Sequence, residues 1–86
     1  MSANNDAFIS RQIANNVLNF FHSDEGFNPG GYFSAFYELL SRADAENTRR
    51  LSEAYPKQVS AFLLARNGEE GMNQLREIAR VKLSAI

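Results

Sequence analysis

Between Asp6 and Phe21, apolar residues recur at Ile9, Ile13, Val17 and Phe20, with Ala14, Leu18 and Phe21 beside them. Steps of three and four place these residues on one side of an α-helix, and the stripe is wide enough to face a core. Asn4, Asn5 or Asp6 supplies a cap for its start. The same spacing returns at Phe33, Phe36, Tyr37 and Leu40, widened by Tyr32 and Leu39, and predicts a second helix over about Gly31 to Ala43. Asp44 reads as the N-cap of a third, "AENTRRLSEAY", whose apolar face of Leu51, Ala54 and Tyr55 is thin. Pro56 lacks a donor and suits a first helical turn, so it closes that helix or opens a fourth, "KQVSAFLLAR", with Val59, Phe62 and Leu63 as its apolar positions. Asn67–Gly68 is a helix stop, and a last helix runs from about Glu69 to Ser84, burying Met72, Leu75, Ile78 or Ala79, and Leu83. No stretch alternates with period two. The expected fold is all-α: a compact single domain of four to five short helices over residues 1–86, with residues 1–5 a flexible N-terminus.

Size and composition then restrict function. A chain of 86 residues buries only about 60–65% of its unfolded surface, which leaves little room for an internal cofactor, and none is expected. The absence of cysteine excludes disulfides, thiolate metal sites and cysteine catalysis. A formal net charge of −1 lacks the basic excess of a nonspecific nucleic-acid binder. No apolar run approaches the roughly 20 residues that span a bilayer. The opening "MSANNDAF" has no basic region followed by a hydrophobic one, so a signal peptide is not expected and a cytoplasmic location is.

The most irregular stretch is "HSDEGFNPGGYF", residues 22–33, which holds the only histidine and three of the five glycines. A calcium loop requires oxygen ligands at alternating positions and a carboxylate at its end, where Phe33 stands instead. A P-loop requires a lysine and a hydroxyl after the glycines, where Tyr32 and Phe33 stand. "NPGG" reads more simply as a turn: Asn28 favours it, Pro29 fixes φ, and Gly30 and Gly31 tolerate the backbone angles needed after the proline. An anion held by the amides of Gly30 and Gly31 is the weaker alternative. His22, with no second histidine and no cysteine, is short of partners for zinc and is read as a surface residue near a helix C-terminus. No "GxSxG" elbow occurs, and the carboxylate pairs Asp44/Glu46 and Glu69/Glu70 sit at helix starts, where they complement the dipole. No catalytic residue and no metal ligand is assigned, and the protein is expected not to be an enzyme.

Two features bear on partners. Arg49 and Arg50 stand together, and Arg76 and Arg80 share a face of the last helix. These four define the alternative reading, a small DNA-binding or transcription-regulating helical protein with a basic face. Against it, the junction "EAYPKQ" is not the short glycine-containing turn of a helix-turn-helix, and "KQVSAFLLAR" offers few side chains for base edges. The second feature is a surplus of aromatic residues, including the adjacent pairs Phe20–Phe21, Tyr32–Phe33 and Phe36–Tyr37. Neighbours on a helix point about 100° apart, so not every ring reaches one small core. Phe27, Tyr32, Tyr37 and Tyr55 are therefore the candidate anchors for a protein partner, with self-association as a further expectation.

From "FFHSDEGFNPGGYF" to "LREIA" the sequence resembles small helical proteins of unknown function encoded by phages of actinobacteria. The residues carrying the likeness are Phe27, Pro29, Gly30, Phe33, Ala43, Asp44, Asn47, Leu51, Tyr55–Pro56, Val59, Phe62 and Gly68, within about residues 17–80. The resemblance implies an accessory protein that acts in the host cytoplasm by binding. It carries over no catalytic residue.

Overall fold

The computed structural model describes the backbone of residues 9–84 and the side chains of residues 9–80. Among them the chain forms five helices and no strand: α1 (Arg11–Phe21), α2 (Gly31–Arg42), α3 (Ala45–Ala54), α4 (Pro56–Arg66) and α5 (Glu69–Ser84). The all-α reading is correct. The expectation of a flexible segment over residues 1–5 lies outside the described residues, as do the proposed caps Asn4, Asn5 and Asp6.

Helix α1 begins later than its apolar spacing predicts. Ile9 and Ser10 are non-helical, and the Ser10 Oγ accepts the Ile13 N–H at 3.1 Å. Serine satisfies an orphan amide there, so the helix starts at Arg11. Ile9 still reaches the core, but from the segment before the helix. The other boundaries reflect local chemistry. Asp44 Oδ1 accepts the Asn47 N–H at 2.8 Å and starts α3. Tyr55 ends α3 and Pro56 opens α4 with no intervening turn. Gly68, at φ +117°, takes the chain from α4 into α5 through a left-handed conformation that favours glycine.

Helix α5 lies along α1, both pack on α4, α3 also packs on α4, and α2 touches α1. Val17, Tyr37, Leu40, Val59, Phe62 and Leu75 are the large side chains sealed at the centre. Met72, Leu75 and Ala79 face this core from α5, while Ile78 is partly buried beside it; the side chain of Leu83 lies outside the described residues. Helix α3 buries no residue fully, in keeping with its thin apolar face.

Most of the described aromatic residues lie in the core or pack against it. The Phe62 ring meets Phe20 at 5.9 Å and Phe21 at 5.1 Å, and stacks on Tyr37 at 6.2 Å. A second group gathers Phe33, Phe36 and Tyr55, with Phe36 and Tyr55 centroids 4.9 Å apart. Each such pair contributes about 0.5–1.5 kcal/mol beyond area burial. At Phe36–Tyr37 the expected divergence of adjacent rings does not expose either one. Helix α2 is enclosed on more than one side, so both rings are buried.

Candidate interaction site

The loop between α1 and α2 is held along its length by side chains of α1 and α5. Asn19 Nδ2 donates to the carbonyls of Ser23 and Glu25, at 3.2 and 2.9 Å. Asn16 Nδ2 donates to the Phe27 carbonyl at 3.0 Å, and the Phe27 N–H donates to the Asn15 carbonyl at 3.3 Å. Gly26 takes φ +59° and lies so close to α1 that a Cβ would come within 2.0 Å of the Asn15 carbonyl oxygen. Asn28 Oδ1 accepts the Gly30 N–H at 2.7 Å, closing the expected turn, and Gly30 takes φ +98° ahead of α2.

An ion pair locks this loop to the far end of the sequence. The Arg76 guanidinium donates to both oxygens of Glu25, each at 2.9 Å, in a bidentate arrangement. The two side chains are only 29% and 31% exposed. The hydrogen bonds from Arg76 hold the Glu25 carboxyl below the usual carboxylate range and raise the Arg76 guanidinium. Arg76 also reaches Asn73 and Glu69, so its charge is well used.

The consequence is a fixed presentation of Phe27. Its backbone is bonded on both sides, yet the residue is 45% exposed. It stands at an open groove of about 430 Å³ between α1 and α5, with Leu18 and Ala79 as apolar floor and Arg11 and Arg80 among its lining.

The remaining candidates divide. Tyr32 is 67% exposed, but its hydroxyl is hydrogen-bonded to that of Tyr55. Tyr55 is half-buried against Phe33 and Phe36, and the Tyr32 hydroxyl pushes its phenol up in pKa. Tyr37 is a correction: at 1% exposure it belongs to the core and is no surface anchor, and burial pushes its phenol up as well. The basic residues do not gather on one helix. Arg49 and Arg50 lie on α3 and pair with Glu46 and Glu53, whereas Arg76 and Arg80 lie on α5 and pair with Glu25, Glu69 and Glu77. His22 caps α1 through its N–H to the Leu18 carbonyl and is exposed. No group of three or more metal-ligating side chains occurs among the described residues.

Of the residues that build this site, Asn16, Asn19, Glu25 and Gly26 escape a reading by spacing, and spacing places Arg76 only on a basic face, not against Glu25. The signal present in the sequence is an asparagine-rich flank on α1 and a lone glycine before Phe27. No helix among the described residues is long and apolar enough to cross a membrane. Comparisons with protein families, with curated proteins and with solved structures find no match, so the site is interpreted from its own chemistry.

Proposed function

We propose that the protein is a non-enzymatic protein-interaction module whose contact surface centres on Phe27. The observation that carries this reading is the contrast between a fixed backbone and an exposed ring. An aromatic side chain on a fixed backbone loses less entropy on binding than one on a mobile loop, and such residues are frequent anchors of interfaces. Tyr32 adds a second exposed aromatic ring at the start of α2, its hydroxyl bonded to that of the half-buried Tyr55. The setting we propose is that of a phage accessory protein binding a host or phage protein in the cytoplasm. Support for it comes from the likeness to helical proteins of actinobacterial phages. The DNA-binding alternative is weakened by the carboxylate partners of Arg49, Arg50, Arg76 and Arg80.

A photo-crosslinking residue placed at Phe27 tests the proposal in actinobacterial lysate, with the same residue at Leu39, which is also exposed, as the comparison. A discrete adduct from position 27 and none from position 39 is the expected result. Equal or absent labelling at the two positions would remove Phe27 as the contact.

A further inference from the structure

We infer that the groove beside Phe27 takes an acidic segment of a partner protein, with an apolar side chain next to its carboxylates; this rests on Phe27 being the contact. Leu18 of α1 and Ala79 of α5 form the apolar floor of the groove, and the exposed Phe27 ring stands at its edge. Its charged lining is Arg11, Arg76 and Arg80 against the single carboxylate of Glu25. The whole chain carries a formal net charge of −1, so the groove is a positive face on a protein that is not basic.

The three guanidiniums are not equivalent. Arg76 is committed to Glu25 through two hydrogen bonds of 2.9 Å, and the pair cancels within the wall. Arg80 reaches Glu77 at 3.3 Å, but those side chains are 69% and 72% exposed, and Glu77 does not line the groove. Water screens such a pair, so a carboxylate from a partner can share Arg80 at small cost. Arg11 fixes the sign of the partner. It is half-buried at the first turn of α1, and its guanidinium has neither an ion pair nor a hydrogen bond among the described residues. A partly desolvated cation beside an apolar floor gains more from a counter-charge than one in open water.

This arrangement selects the occupant. An apolar side chain laid against Leu18, Ala79 and Phe27 leaves water. A carboxylate of the same segment accepts the paired hydrogen bonds that a guanidinium offers. A basic segment meets Arg11 and Arg80 as like charges. Nucleic acid suits the groove less well, because Glu25 lines it and Glu69 and Glu77 accompany Arg76 and Arg80. Their carboxylates repel a continuous line of phosphates.

Photo-crosslinking from position 27 of the full chain in actinobacterial lysate, read at the level of the joined peptide, tests this. The joined partner peptide is expected to carry Asp or Glu within about one helical turn of an apolar residue. Arg11→Glu puts a carboxylate in the first turn of α1, where the helix dipole favours it, so the fold is kept and the charge of the groove changes. Below saturation, adduct yield should fall about tenfold in Arg11→Glu, the loss of one charge-assisted hydrogen bond, and less in Arg11→Lys. It should also fall as salt rises from about 0.05 to about 0.5 M. An adduct indifferent to both Arg11→Glu and salt, or a partner peptide without a carboxylate, overturns the acidic partner and leaves Phe27 as the contact. An adduct with nucleic acid, with a second copy of this chain, or with the chain's own residues 1–8 or 81–86 also overturns it. No adduct at all removes Phe27 and its acidic partner together.

Discussion

Gly71 of α5 lies against the carbonyl group of Leu64 in α4, so close that a Cβ would stand 1.9 Å from the oxygen. Backbone meets backbone at this crossing, and neither can yield as a flexible side chain does. Gly71→Ala should therefore destabilise the protein by about 1–3 kcal/mol, the range for overpacking a tight contact. Gly31→Ala is the matched control. A Cβ there has nothing within 4 Å, and the residue is helical, so a gain of about 0.4–1 kcal/mol is expected. Urea unfolding of the two variants should give midpoints on opposite sides of the wild type.

The Glu25–Arg76 pair makes stability depend on acid. Glu25 has a folded pKa below its ordinary value of 4.5, because Arg76 hydrogen-bonds the charged form. The folded state thus binds its proton less tightly than the unfolded chain. Its contribution is fully present above pH 4.5 and is lost as the pH falls through the lower folded value. The pair is about one-third exposed, so solvent screening keeps this contribution modest. Melting curves of Glu25→Gln should show a flatter loss of stability below that pH than the wild type, with little change near neutrality beyond a modest fall.

Tyr37 separates packing from polarity. Tyr37→Ala removes a ring from the centre of the core and should cost about 3–5 kcal/mol. Tyr37→Phe removes a hydroxyl with no hydrogen-bond partner among the described residues and should stay within about 1 kcal/mol of the wild type. Because burial raises the folded pKa of the phenol above 10.0, the associated stability is present below that pH and declines as the pH rises beyond it. Denaturation at about pH 9 and about pH 10.5 should show the decline in wild type and a smaller one in Tyr37→Phe.

Phe27 should matter little to folding. Phe27→Ser exposes no sealed space, and its cost should be about 1 kcal/mol or less, against about 3–5 kcal/mol for Phe62→Ala. Thermal melts of the two variants measure the difference directly.

Local chemistry made the helices readable. Asp44, Pro56 and Asn67–Gly68 each act within a few residues of themselves, so the boundaries they mark could be read in one dimension. Ile9 misled because it continues the apolar stripe of α1 while lying outside the helix, and spacing does not distinguish a helical position from an irregular segment folded into the same core. Tyr37 misled because enclosure of α2 depends on where α1 and α4 pass. The candidate site was less legible still. Glu25 and Arg76 are 51 residues apart, and nothing about either residue alone names the other. Gly26 and Gly71 owe their necessity to neighbours that only the assembled fold brings close.

The packing of α1 along α5 sets the order in which this protein can come together. On a ribosome, α1 is finished long before α5 emerges, and its buried stripe of Val17, Leu18 and Ala14 stays wet meanwhile. At about 5–20 residues added per second, that interval lasts roughly several seconds, far longer than a helix takes to form. During it, α1 has α2 and α4 to pack against but not α5, the helix with which it makes its most extensive contact. The nascent chain therefore exposes part of the α1 stripe until its last helix arrives to cover it.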